Sequence, residues 1–310
     1  NDGIINAVDL DSSSNQTFNG RIFIEPNEFN ILKVRSTGGD GQISRTIQVQ
    51  FAIEPYIYPI FNYGLATKGP LNFTGNPTLI GYNEAWEADL YVESFSALTS
   101  ITVGGNSKFD GEIEIGNPAA SVNFVGDVNI AGDFGQTAID NHVHLGVDPV
   151  EFPIPDTDRF RPYANGDVID DLTDLSLYPN ILVNCKIAAG TNPSFPKSVT
   201  IQGVLFIESP NIVTFTRNVA LQGIIVGDGD LNSPGTDRID ILGNFASSSY
   251  PSGMEFDALR SEEGTSILAP GFGASFQGNF STLEGVVALS GVTFSGNVNA
   301  LIKGSIINYS

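Results

Sequence analysis

A short word recurs along this sequence: a run of alternating apolar and polar residues that ends in Gly followed by Asn or Asp. It reads LNFTGN at 71–76, ITVGGN at 101–106, VNFVGD at 122–127, IDILGN at 239–244, ASFQGN at 274–279 and VTFSGN at 292–297. Alternation at period two sends one set of side chains to one side of a strand. The Gly-Asn or Gly-Asp pair then supplies the positive φ that a sharp turn requires. The closest words start 21 and 18 residues apart. That spacing suits two or three short strands per repeat, each stacked on its equivalent in the next. Further strand-like pieces lie between the words, among them GEIEIG at 111–116, SVTIQGVLFIES at 198–209 and VALQGIIVG at 219–227. The fold expected is all-β: a right-handed single-stranded parallel β-helix, a solenoid around one continuous apolar interior. A β-sandwich or jelly roll is the competing expectation, because short strands separated by regular turns also describe it.

Three stretches break the repeat. Residues 1–55 contain RIFIEP, NILKVRST and SRTIQVQFAIE with the turn TGGDGQ at 37–42, and read as a small N-terminal antiparallel β unit. That leaves 56–310 for the β-helix. Residues 137–180 hold Pro149, Pro153, Pro155, Pro162 and Pro179, which forbid regular pairing, so a long excursion over the outside of the coil is expected there. Asp156, Asp158, Arg159 and Arg161 within it read as ion pairs that pin the insert. Residues 227–264 form a second loop-rich region, where function tends to sit in repeat folds.

Composition bounds the partners. Basic residues number 14 against 35 acidic, a net charge of −21. The few basic residues never form a run, which excludes a nucleic-acid interface and disfavours an anionic membrane surface. No stretch approaches the ~18 consecutive apolar residues of a membrane span. Charged residues make up only 16% and apolar residues 41%, enough apolar side chain for one large core or two smaller ones. The single Cys185 permits no intrachain disulfide, and its apolar setting in NILVNCKIAAG reads as a buried small hydrophobe. An acidic, Lys-poor chain of this kind fits an exported protein, extracellular or at the cell surface.

Four segments carry a resemblance. PIFNYGLATKGPLNFTGNPTLIG at 59–81 has an aromatic, a small-residue run, a KG pair and a strand ending in TGN. HVHLGVDPVEFPIPDTDRFRPYA at 142–164 is a Pro-rich insert, SGVTFSGNVNALIKGSIINYS at 290–310 a closing repeat, and TGGDGQISRTIQVQF at 37–51 a strand pair. Together they resemble the PilX-type pilus-assembly proteins, polymer-forming β-helix envelope proteins of planctomycete-type bacteria. The likeness covers most of the chain and consists of turn words. It implies an exported, envelope-associated structural or adhesive protein with a pilin-like N-terminal anchor, and it brings no catalytic residues with it. The hydrophobic N-terminal helix of that pattern is not within these residues.

Three sets of residues could carry chemistry. Asp140, His142 and His144 would face the same way on a strand and offer a carboxylate and two imidazoles to a divalent metal; the bland reading is a polar edge with its imidazoles hydrogen-bonded. Asp228, Asp230, Asn232 and Asp237 place oxygen ligands at the spacing of a calcium loop, but the later Gly and bidentate Glu of an EF-hand are absent, and a solvated acidic turn competes. Trp86, Tyr163, Tyr178 and Tyr250, all in irregular segments, are candidates to stack on a glycan.

No cofactor is required on this reading, although calcium could stiffen the acidic loop. The function expected is that of an exported structural or adhesive protein of the cell envelope or pilus, presenting a rigid β-helix to itself, to other envelope subunits or to a polysaccharide. The rival is a polysaccharide-binding or polysaccharide-cleaving enzyme, a lyase or glycoside hydrolase, which rests on fold analogy. Lys186, Arg217 and Arg238 would be its candidate bases.

Overall fold

The computed structural model describes residues 3–9, 17–24, 31–40, 42–52, 57–73, 76–95, 98–232, 235–262, 264–277, 282–294 and 301–310. Gly75, Gly278 and Gly296 of the recurring word, and the Phe294 side chain, lie outside them. The chain divides into two compact units, Asn1–Ile57 and Tyr58–Ser310. Among the described residues, no helix is long and apolar enough to cross a membrane.

The first unit is a four-stranded antiparallel sheet in sequence order, β1 (Gly3–Asp9), β2 (Thr17–Ile24), β3 (Ile31–Gly39) and β4 (Ser44–Ala52). Its strands are rich in Ile, Val, Phe and Thr, which suit a pleated, half-buried surface. Asp40 closes the β3–β4 hairpin: its Oδ1 accepts the Gln42 and Ile43 amides at 3.2 and 3.0 Å.

The second unit overturns the expected β-helix. Together with the first unit's sheet, the described strands fall into six separate sheets, parallel, antiparallel and mixed, and none of them is closed. Four are parallel, one is antiparallel, and one is mixed because Asp133–Phe134 runs antiparallel to Val128–Ile130. The largest has 13 strands. Its path runs Val143–Leu145, Ile113–Ile115, Leu90–Val92, Leu65–Thr67, Ile306–Asn308, Val286–Leu289, Thr265–Ala269, Val219–Gly227, Val199–Ile207, Lys186–Ile187, Val168–Ile169. Every pair along it is parallel. The first strand of the unit therefore lies beside the last: Leu65, Ala66 and Thr67 pair with Ile306, Ile307 and Asn308. From that seam the early strands build outward in one direction, and the later ones approach it from the far edge.

The recurring word gives the alternation it promises. Ile101 and Val103 are buried while Thr102 between them is half-buried, and Ala274 and Phe276 do the same around Ser275. Gly203 marks a departure. Up to it the strand Val199–Ile207 alternates; beyond it Val204, Leu205, Phe206 and Ile207 are all buried. Gly203 sits at φ +76°, and a Cβ there would meet the Asn184 Oδ1 at 2.0 Å. That oxygen accepts the Val204 amide at 3.0 Å, so the missing side chain makes room for the hydrogen bond that turns the strand.

Both faces of the large sheet are covered. One faces the main core, where Phe109, Ile115, Ile201, Leu205, Phe215, Leu221, Ile241 and Leu289 pack together. Residues 146–167 lie over the other. This strap leaves the strand at one edge of the sheet and enters the strand at the opposite edge, crossing ten strand spacings of ~4.8 Å each. Its extended chain reaches up to ~3.3 Å per residue, ample for that span. The prolines explain why it joins no strand ladder: a segment without those N–H groups has fewer donors to satisfy. Phe152 packs into a cluster with Tyr91, Ile307 and Tyr309, and Phe160 into one with Phe206, Ile224 and Phe256.

Candidate functional site

The strap's anchorage concentrates the charged chemistry of the molecule. Arg161 lies in a short turn of 3-10 helix, Asp158–Tyr163. Its Nη1 donates to Glu208 Oε1 at 2.6 Å and its Nη2 to Asp228 Oδ2 at 2.7 Å. Its guanidinium lies 4.5 Å from the Phe206 ring centre, and its Nε reaches Asp158 at 3.2 Å. Glu208 and Asp228 follow the two long neighbouring strands, so one forked cation ties both strand ends to the strap. Arg159 bonds Glu262, and Lys186 lies 3.4 Å from Glu208. Arg161 thus meets Asp158 within the insert, while Glu208, Asp228 and Glu262 tie the insert to residues outside it.

The calcium-spaced residues are not brought together. Asp228 is taken by Arg161 and by the Ser209 amide at 2.6 Å. Asp237 is buried and holds the next ladder: its Oδ1 accepts the Asn211 amide at 2.5 Å and its Oδ2 the Ser209 hydroxyl at 2.6 Å. Asp230 closes its own turn by accepting the Asn232 amide at 2.9 Å. Asp228 and Asp237 thus share Ser209, one at its amide and one at its hydroxyl, while Asp230 serves a separate turn.

The histidine cluster is arranged otherwise than a strand would arrange it. Asp140 and His142 sit on a helix, α1 (Gly135–His142), and only His144 is on a strand. Two residues along a helix are ~200° apart, and Asp140 accordingly turns to Gln136, whose Nε2 donates at 2.8 Å. His142 reaches in two directions: Nδ1 lies 3.0 Å from Glu112 Oε1 and Nε2 3.2 Å from Asp133 Oδ2. His144 Nε2 lies 2.9 Å from the other Glu112 oxygen. With its two nitrogens aimed at different carboxylates, His142 joins them as a cross-brace. Among the described residues, no three His, Cys, Asp or Glu side chains are arranged to hold a metal ion.

Electrostatics follow from that brace. The hydrogen bond to Glu112, joined by Asp133, holds the His142 pKa above its ordinary value despite partial burial. Burial pushes the Glu112 carboxyl up, but the bonds to His142 and His144 outweigh it and hold the group below the usual range. Asp133 is lowered by the Asn141 amide first and by His142 second. Neighbouring Asp89 moves the other way, raised by burial and by Glu114 and Glu112 although the Glu112 amide opposes it.

The four aromatic candidates do not form a platform. Trp86 is 55% exposed. Tyr163 and Tyr250 both pack against the apolar cluster under the strap. Tyr178 packs on the main core and donates to Asp167 at 2.8 Å. Cys185 is buried, and burial pushes its thiol up; it borders an open cleft of about 390 Å³ lined with Asn165, Asp167, Ile181, Val183 and Glu255. Of the candidate bases, Lys186 faces Glu208 and Arg238 Nε donates to Asp240 at 2.8 Å.

Glu112, Asp133 and Glu208 went unsingled in the sequence, because each acts on a residue 9 to 47 positions away and no local pattern reports such a pairing.

No family model matches the sequence, and no curated protein matches it. Among solved structures the chain is similar to the competence-associated pilin ComZ from Thermus thermophilus, at 13% identity and a TM-score of 0.25, covering 100% of this chain and 82% of that one. At that identity and score the likeness carries no argument about fold or role.

Proposed function

We propose that the chain is an exported structural or adhesive protein of the cell surface, associated with a pilus or the envelope, whose larger unit serves as a scaffold for contact with neighbouring subunits or a glycan. The observation that supports this best is the use to which the reactive side chains are put. Arg161, Glu208, Asp228 and Asp237 secure a strap and a ladder, and His142, Glu112 and Asp133 brace the region of α1. Ionisable groups committed to holding backbone in place give mechanical rigidity. Of Trp86, Tyr163, Tyr178 and Tyr250, Trp86 is the one exposed to solvent for stacking on a sugar.

The experiment is twofold. Immunogold labelling of intact source cells is expected to place the chain on the outer surface, and labelling only after permeabilisation would overturn the reading. A panel of acidic and neutral polysaccharides incubated with the purified chain is expected to show no cleavage; turnover of any of them would replace the scaffold with an enzyme. Where a glycan binds, Trp86→Ala is expected to weaken it by about tenfold, the loss of ~1.4 kcal/mol.

A further inference from the structure

The first unit has one finished face and one unfinished one. Residues paired across an antiparallel ladder point to the same side, so the register sorts the side chains. One side carries the rows Arg21–Arg35–Gln48, Phe23–Lys33–Gln50 and Asn19–Thr37–Thr46. It completes itself: Arg35 Nε and Nη2 donate to Gln48 Oε1 at 3.1 and 2.9 Å, the Thr37 and Thr46 hydroxyls meet at 2.9 Å, and Arg21 and Arg35 lie 5.0 and 5.2 Å from the Phe23 ring centre. Phe23 is buried by these neighbours.

The other side carries Ile24–Leu32–Phe51 and Ile22–Val34–Val49, and Ile47 extends it opposite Ser36. Ile22, Ile24, Ile47, Val49 and Phe51 are 39 to 68% exposed. Leu32 and Val34, on an interior strand, are only half-buried. A sheet with an apolar face needs a second layer to bury it, and a patch of this kind on a soluble surface marks an interaction site.

We propose that this face is the docking surface for a second copy of the same chain, the two sheets packing face to face. Three observations select that occupant. The rows from Ile24 to Ile47 carry no charge, Arg45 standing only at their end opposite Gly38, so the complement they need is another apolar pleated face, which a second copy supplies at the ~10 Å spacing of stacked sheets. The face is also the place where copies of so acidic a chain repel least: residues 1–57 hold four basic against seven acidic side chains, −3 of the total −21. Finally, three strands of about eight residues cover roughly 400–500 Å² per copy, or roughly 800–1,000 Å² together, at the lower edge of specific interfaces. A reversible dimer of micromolar strength follows, whatever the role of the chain at a surface.

Sedimentation velocity of the full chain from ~1 to ~200 μM tests it, a range that brackets micromolar dissociation. The wild-type chain is expected to pass from monomer to dimer. Ile47→Lys and Val49→Lys, on the exposed edge strand, are expected to weaken association at least tenfold, whereas Gln48→Lys, on the opposite face of that strand, is expected to leave it unchanged. Far-UV circular dichroism of each variant confirms an intact sheet. A wild-type chain that stays monomeric throughout, dimers untouched by Ile47→Lys, or equal loss in Gln48→Lys would overturn the proposal.

Discussion

His142 is the residue whose protonation has the clearest structural consequence. A neutral imidazole has one N–H, so it satisfies one of its two carboxylates as a donor; the imidazolium donates to both. Its pKa is raised in the folded chain, so its contribution is fully present below the unfolded value near 6.5 and is lost as pH rises through the folded value. Glu112 and Asp133 are lowered; their contribution is present above the unfolded carboxylate values and lost as pH falls through the folded ones. The brace is therefore strongest in mildly acidic solution. The melting temperature of wild type relative to His142→Gln is expected to be ~2–4 °C higher at pH 6, the size of shift that one such interaction gives in a domain of this length, and the gap should narrow by pH 8.5. A gap that widens with pH would contradict the assignment. Arg161 makes a second case. Arg161→Ala removes three ion pairs and a cation–π contact, a loss of about 1–2 kcal/mol. Arg161→Lys keeps the charge without the fork and should fall between. Chemical denaturation of the three chains checks the order.

At the scale of elements, the strap and α1 show what the sequence made legible. The proline spacing predicts an irregular excursion over 137–180, whereas the strap occupies 146–167, with α1 and the strand Val143–Leu145 before it and the strand Val168–Ile169 after it; Arg159 and Arg161 are recognisable as charged anchors because that signal is local. Helix α1 was not legible: GQTAIDNH has no apolar stripe that marks a face, and only Ala138 is buried against the neighbouring strands. The strap's aromatic anchors were equally hidden, since Phe152 meets Tyr91 and Tyr309 at ring-centre distances of 6.1 and 5.9 Å across much of the chain. Tyr309 donates to the Pro153 carbonyl at 2.7 Å and Tyr91 accepts the Val150 amide at 3.2 Å. Phe152→Ala should cost about 3 kcal/mol if the site cannot collapse around the gap. Hydrogen exchange is expected to rise across 146–167 while the main sheet stays protected; uniform loss of protection would mean that the strap is not a separate element.

The whole molecule is where the sequence misled. Strand words and their lengths were readable, and parallel stacking follows from them. Neighbouring words pair in sequence order, Leu71–Phe73 with Ile101–Val103 and that strand with Val122–Val125; what no word announces is that the first and last strands of the large sheet meet. The closing strand is not an open edge: Ile306–Asn308 is paired on both sides. Asn308 seals the seam, its Nδ2 donating to the buried Thr67 hydroxyl at 2.9 Å while its Oδ1 accepts the Gly291 amide at 2.6 Å. Charge is a property of the same scale. With −21 on each copy, the proposed dimer should tighten as salt shortens the screening length from ~20 Å or more to a few ångströms, and sedimentation at low and high salt checks this.

The large sheet depends most on the joining of the first and last strands of the second unit across some 240 positions. Hydrogen exchange of residues 65–69 in the full chain and in a chain lacking 304–310 tests it directly. Protection at 65–69 is expected in the full chain and should be lost when the distant strand is removed, with the strands at 113–115 and 199–207 still protected. Unchanged exchange at 65–69 would show that the two strands are not partners and would contradict the sheet order on which the account rests.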